Sequence, residues 1–296
     1  MPETEPEIQL VPADRVALSQ RVAIMNAAYA DYYVPTRVTQ EQMASLDRFY
    51  DVDVARSMVA HTRWECIGMA LLALRGPRAW VSGVGVVPAW RRRGVARTMM
   101  RRLIAAAAEA GARTMLLEVI VENEPARRLY AALGFETVRE LLTWQRPTSA
   151  DPLPIPLERL VPASPLELLA NSEGWRDQRP CWQRETATLR SMAGRLTGYR
   201  LDWRGEPTAY CLINTQEETV SLADVGINPD AGLLMPGRLL LQALAASYYG
   251  RPLSIMNVPA DDALNRVLAA LGFLVTVSQV EMALNLDAAP WRGCST

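Results

Sequence analysis

The stretch from Val84 to Phe135, VGVVPAWRRRGVARTMMRRLIAAAAEAGARTMLLEVIVENEPARRLYAALGF, constrains this chain more than any other part of it. An apolar strand runs into Pro88, and an arginine-rich turn with a single glycine follows. Then come a long helix, a second apolar strand, Asn123, and a short helix closing on Leu133-Gly134-Phe135. That order fits an α/β fold carrying a site for a phosphorylated ligand, with chemistry close beside it.

The turn is Arg91-Arg92-Arg93-Gly94-Val95-Ala96-Arg97. The helix it opens runs from about Val95 to about Glu109, with Met99, Met100, Leu103 and Ile104 at helical spacing and Gly111 as its stop. A helix N-terminus leaves backbone N–H groups without intrahelical partners, and together with the helix dipole they favour an anion such as a pyrophosphate. Gly94 and Ala96 keep the backbone bare for phosphate oxygens, and the arginines add charge-assisted hydrogen bonds. Three arginines and a glycine alone are equally compatible with a solvated basic helix start.

The spacing goes further. Arg91-x-x-Gly94-x-Ala96, three residues after Pro88, resembles the acyl-CoA-binding signature of the GNAT superfamily of N-acetyltransferases. The downstream half is similar too: Leu117-Glu118-Val119, Asn123, Ala126, Leu129-Tyr130 and Gly134-Phe135. The resemblance covers roughly residues 8–146. It implies that backbone groups of Val84, Gly85 and Val86 pair with the pantetheine arm of acetyl-CoA like an extra strand. It also implies that the pyrophosphate sits on the turn from Arg92 to Arg97, that Asn123 hydrogen-bonds the arm, and that Tyr130 faces the thioester sulfur. Tyr130 would then protonate the leaving thiolate; otherwise it is an amphipathic core tyrosine.

The chemistry accounts for these residue types. An amine attacks a thioester carbonyl, an oxyanion forms, and a thiolate leaves. A base aids the amine, a donor near sulfur aids departure, and backbone N–H groups polarise the carbonyl. Holding both reactants in one cleft supplies much of the rate, with no covalent enzyme intermediate. Glu118, twelve residues before Tyr130, is the candidate base. A branch of the family acting on protein N-terminal alanine has a similar Leu-Glu-Val with glutamate in that role. A solvent-facing carboxylate, or a water chain serving as base, is the alternative. Glu122 and Glu124 look like loop charges.

Other chemistries find little support. The single histidine, His61, argues against histidine acid–base work and multi-histidine metal sites, and no metal is expected. All 31 basic residues are arginine, which excludes a lysine Schiff base. Cys66, Cys181, Cys211 and Cys294 form no C-x-x-C pair and read as incidental thiols of a reducing, cytoplasmic compartment. The opening MPETEPEIQLVPADR lacks the regions of a signal peptide, and no apolar run approaches the ~18 residues of a membrane span. A net charge of −1 gives no global reason to bind nucleic acid, and stacking aromatics are not interleaved with the arginines.

Length points to two domains, since 296 residues is about twice a typical unit. The proline-rich stretch from Pro147 to Pro165 separates them, giving an expected catalytic domain over 1–147, an extended linker over 148–164 and a second domain over 165–296. The halves form a degenerate internal repeat. Ala131-Ala132-Leu133-Gly134-Phe135 recurs as Ala269-Ala270-Leu271-Gly272-Phe273, Leu10-Val11-Pro12-Ala13 as Leu160-Val161-Pro162-Ala163, and Val86-Val87-Pro88 as Ile227-Asn228-Pro229. The second copy carries Gly232, Met235 and Gly237 in place of Arg91, Gly94 and Ala96, with Pro236 interrupting the turn. Asp261, Leu268 and Met256 replace Asn123, Tyr130 and Glu118, so this copy is expected to have lost the site. Tandem members of the family resemble this layout.

Each copy is expected to be a mostly antiparallel mixed sheet with helices on both faces and a cleft where the strand before Pro88 and the strand of Glu118 splay apart. In the first copy, strands are expected near 7–11, 57–62, 66–75, 79–87, 114–121 and 136–145. Helices are expected near 17–32, 40–51, 95–109 and 125–133. Tyr29, Tyr32, Tyr33, Arg37 and Trp144 are candidates for the acceptor pocket, although an aromatic helix face also serves packing. The resemblance thus implies an acetyl-CoA-dependent N-acetyltransferase acting on a small-molecule amine or a peptide N-terminus. The alternatives are a non-catalytic acyl-CoA-binding sensor or scaffold, and a transferase of longer acyl groups. It leaves open whether the chain forms a homodimer.

Overall fold

A computed structural model describes residues 7–34, 37–151, 153–172, 174–215, 217–232 and 234–287. Cys294 and the first six residues lie outside them. The chain runs β1 (Gln9–Pro12), α1 (Leu18–Ala28), α2 (Gln40–Phe49), β2 (Met58–His61), β3 (Cys66–Arg75), β4 (Arg78–Val86), α3 (Val95–Glu109), β5 (Thr114–Ile120), α4 (Glu124–Ala131) and β6 (Glu136–Arg146). It continues with β7 (Leu160–Ala163), α5 (Pro165–Asn171), α6 (Thr186–Met192), β8 (Thr197–Trp203), β9 (Glu206–Asn214), β10 (Val220–Ile227), α7 (Leu234–Ser247), β11 (Leu253–Pro259), α8 (Leu264–Ala270) and β12 (Leu274–Asn285). The described residues of 147–159 form neither helix nor strand.

Two compact units result, and they are not cut where the proline-rich stretch suggests. The first comprises Met1–Val138 with Val280–Thr296; the second comprises Arg139–Gln279. The first unit orders its strands β1-β2-β3-β4-β5-β12, and the second orders them β6-β11-β10-β9-β8-β7. Each unit therefore takes its closing strand from the other half of the sequence. The strand expected at 136–145 does form, but it leaves to pair with β11. The apolar side chains follow the strands: Val280, Met282 and Leu284 of β12 enter the first core, while Leu142 and Trp144 of β6 pack into the second.

The first unit has helices on both faces. Met99, Met100, Leu103 and Ile104 of α3 are fully buried against Ala70 and Leu72 of β3 and Met115 and Leu117 of β5. Each such side chain contributes about 1.5–3 kcal/mol by leaving water. On the opposite face, Met69 and Leu71 pack with Ile24 of α1 and Met43 of α2. Thr39 and Gln42 close a reciprocal capping box at the start of α2.

Two features of β4 prepare a cleft. A bulge against β3 leaves Ser82 out of the register, between Val81↔Leu72 and Gly83↔Leu71. The parallel pairing of β4 with β5 runs only from Arg78↔Thr114 to Trp80↔Leu116, so the remainder of β4 offers an edge. The second unit repeats both features. Ala223 is skipped between Leu222↔Ile213 and Asp224↔Leu212, and β10 pairs with β11 only as far as Leu222↔Ile255. The internal repeat therefore extends to the bulge, with Asp224 standing where Gly83 stands. Pro236 does not interrupt the turn as expected. It lies in the first turn of α7, where its missing N–H would have had no helical partner.

Candidate active site

The cleft of the first unit is a cavity of about 540 Å³. Its walls bring together residues from four parts of the sequence: the edge Val84, Gly85 and Val86; the turn residues Arg91, Arg92, Gly94, Val95, Ala96 and Arg97; Asn123; and Tyr130. Tyr29, Asp31, Tyr32 and Tyr33, at the end of α1 and just beyond it, complete the enclosure. Of the catalytic and cofactor-binding candidates, Arg93 and Glu118 are not in this lining. The Arg93 guanidinium instead lies over the Trp90 ring, 4.9 Å from its centroid.

The turn has the backbone of an anion seat. Arg92 and Gly94 both adopt positive φ, 66° and 80°, on either side of Arg93. Left-handed residues interspersed in this way point successive N–H groups the same way. Gly94 is the N-cap of α3 and has no side chain to bond the first-turn N–H groups, which leaves them for a ligand. Among the described residues neither Arg92 nor Arg97 meets a carboxylate, and both are exposed. Arg91 has a different role. It donates to both Asp31 carboxylate oxygens at 2.7 Å, to Ala28 O at 2.9 Å and to Val86 O at 3.1 Å. Hydrogen bonding and charge attraction from Arg91 hold the Asp31 carboxyl below the usual carboxylate range.

The strand edge is partly taken by the protein itself. Tyr29 donates its hydroxyl to Val84 O at 3.0 Å, as Arg91 does to Val86 O. Carbonyls of alternate residues share one edge of a strand, and their N–H groups share it with them. The N–H groups of Val84 and Val86 therefore face the cleft as donors. Asn123 caps α4 by accepting from Ala126 N–H at 3.3 Å and donates to Tyr32 Oη at 3.4 Å.

Tyr130 is 8% exposed and stacks edge-on with Phe135, ring centroids 6.0 Å apart. Its hydroxyl makes no hydrogen bond among the described residues. Burial, with added repulsion from Tyr29 and Tyr32, pushes its phenol well above the ordinary tyrosine value. A phenol so placed keeps its proton at neutral pH and holds it more tightly than a solvated tyrosine does. Glu118 Oε2 accepts from Trp80 Nε1 at 2.7 Å, and Trp80 packs edge-on against Tyr50.

Residues 23–135 match the acetyltransferase (GNAT) family. The first copy is a GNAT acetyltransferase domain. The whole chain has the tandem form of that fold. It is similar to a tandem GNAT protein from the clavulanic acid biosynthesis pathway, with a TM-score of 0.72, 20% identity and coverage of 95% of this chain and 99% of that one. It is also similar to a GCN5-related N-acetyltransferase from Sphaerobacter thermophilus, with a TM-score of 0.71, 17% identity and coverage of 96% and 97%. No curated protein matches it in sequence.

Within this GNAT domain two acceptor-pocket candidates fall elsewhere. Trp144 is in the core of the second unit, donating Nε1 to Asn265 at 2.8 Å, because β6 crosses to that unit. Arg37 is exposed and outside the cavity lining. Sequence reading does not single out Asp31 or Trp80. An acid inside the Tyr29–Tyr33 run and a tryptophan opening an apolar strand were the available signals. Among the described residues, no cluster of three or more His, Cys, Asp and Glu could hold a metal, and no helix is long and apolar enough to cross a membrane.

Proposed function

We propose that the first unit is an acetyl-CoA-dependent N-acetyltransferase moving an acetyl group to a primary amine by direct attack in a ternary complex. The observation that carries this reading is the convergence of the turn, the free strand edge, Asn123 and Tyr130 on one cavity. The residues present fit the donor: first-turn N–H groups with Arg92 and Arg97 suit a pyrophosphate, and edge N–H groups suit an amide-bearing arm. The acceptor class is an amine of a small molecule or a peptide N-terminus.

In this reading the N–H groups of Val84 and Val86 bind the arm and polarise the thioester carbonyl. As the amine nitrogen bonds to the acyl carbon and the carbon–sulfur bond breaks, Tyr130 gives its proton to sulfur. The amine's proton goes to Glu118, directly or through water. Because Glu118 is not in the cavity wall, its part in this reading runs through water.

Calorimetric titration of acetyl-CoA tests the reading, with Gly94→Glu alongside. A Cβ at Gly94 would meet nothing within 4 Å, so the variant keeps the fold apart from strain at positive φ, while its carboxylate enters the anion seat. One site per chain, abolished in the variant, justifies a screen of amines by thiol release. No binding to the wild-type chain overturns the proposal.

A further inference from the structure

We propose that Tyr29 fixes the length of the acyl group, closing the site to chains much longer than acetyl; this rests on the reading of the cavity as an acyl-CoA site. The direction of the ligand follows from the fold. The anion seat lies beyond the C-terminal end of β4, at Arg92–Arg97. An arm laid from there along the free edge meets Val86 first and Val84 about 7 Å later, so the thioester end lies at Val84.

Tyr29 stands at that end. Its hydroxyl is on Val84 O at 3.0 Å. Its ring covers Gly85 so closely that a Cβ there would come within 3.0 Å of Tyr29 Cε2 and 2.7 Å of Ala28 Cβ. One step further along the strand, a Cβ on Gly83 would be 3.6 Å from Tyr29 Oη and 3.7 Å from Met25 Cε. Tyr29, a residue of the cavity wall, therefore presents a hydroxyl at the Val84 end rather than an apolar surface.

The wall is braced. Tyr32 packs edge-on against Tyr29 with ring centroids 4.9 Å apart, and Tyr33 packs against Tyr32 at 5.5 Å. Asn123 donates to Tyr32 Oη, and Tyr33 donates to Glu122 O at 3.0 Å. Moving Tyr29 aside to admit extra methylenes breaks its bond to Val84 and disturbs this stack. Added methylenes that find no apolar room are discriminated against by about tenfold or more.

The test measures dissociation constants of CoA, acetyl-CoA, butyryl-CoA and hexanoyl-CoA for the wild-type chain, Tyr29→Phe and Tyr29→Ala, with melting curves to show that each is folded. Wild type should bind hexanoyl-CoA about tenfold or more weakly than acetyl-CoA. Tyr29→Phe, which keeps the ring, should retain that preference, and Tyr29→Ala should lose or reverse it. Tyr29→Leu replaces Tyr29→Ala in the comparison should the latter not fold. Equal wild-type affinity for acetyl-CoA and hexanoyl-CoA overturns the proposal, as does a folded Tyr29→Ala with unchanged preference. Failure to bind any of the four, free CoA included, is a separate result that overturns the acyl-CoA reading itself.

Discussion

Arg91 grips Asp31 through both terminal nitrogens at 2.7 Å, tying the segment after α1 to the arginine-rich turn. The signature arginine thus has its charge matched before any ligand arrives. Removing the carboxylate should leave the turn more positive. Asp31→Asn is expected to tighten acetyl-CoA binding by about threefold at low ionic strength, with the gain shrinking in high salt, where exposed charges are screened. Calorimetry at two salt concentrations checks this; unchanged affinity at low salt would show that Arg91 serves the fold alone.

Tyr130→Phe removes the hydroxyl and keeps the ring against Phe135. Turnover should fall by about a hundredfold, the scale of a lost general acid, while acetyl-CoA affinity stays within about twofold. The pH dependence has a definite sign. Because burial raises the Tyr130 phenol, the proton needed by the thiolate is still present at the ordinary tyrosine value of about pH 10. A descending limb near pH 10 that vanishes in Tyr130→Phe would contradict the placement.

Glu118→Gln keeps the acceptor for the Trp80 indole N–H but cannot take a proton. The loss of rate should be largest at low pH, where the acceptor amine most needs deprotonation. A pH–rate profile identical to wild type would assign the base to water instead.

The Arg21–Asp47 pair joins α1 to α2 at 2.9 Å, with only 9% and 13% of the side chains exposed. Arg21→Met leaves the carboxylate alone and should cost about 3 kcal/mol in urea unfolding at neutral pH. Burial already raises Asp47 despite its arginine. The folded state therefore takes up a proton before the unfolded chain does, and stability recovers as pH falls through that raised value. A deficit of Arg21→Met that does not narrow on acidification would show that the carboxylate is not the source.

Much of the first copy was legible because its signals are local. Met99, Met100, Leu103 and Ile104 bury one face of α3, and Gly111 stops the helix at positive φ. The exchange of β6 and β12 was not legible. Both strands alternate in the ordinary way, and nothing in either says which core it will enter. Nor could sequence pair Asp31 with Arg91 or Tyr29 with Val84, which are far apart along the chain and meet only once α1 crosses the sheet. The Tyr29–Tyr33 run was visible as aromatic, but its use as a wall depends on Gly85 admitting the ring. Trp144 was misplaced for the same reason as β6.

The second copy holds a signal that sequence reading passed over: an acid, Asp224, within the apolar strand Val220–Ile227. It is fully buried, bonded by Arg176 at 2.7 Å and by the Tyr210 hydroxyl at 2.7 Å, with Arg184 at 3.6 Å. The same segment delivers Trp175 O to Ile227 N–H at 2.7 Å, at the position that corresponds to Val86 in the first copy. That edge position of the second copy is therefore taken by its own chain. Acetyl-CoA should bind at one site per chain, and the Ile227 amide should exchange slowly with solvent whether or not acetyl-CoA is present. Arg176→Met strips the buried carboxylate of its main partner, so it should lower stability by about 3 kcal/mol without creating a second site. A second acetyl-CoA bound by that variant would mean that the segment merely masks a working cleft.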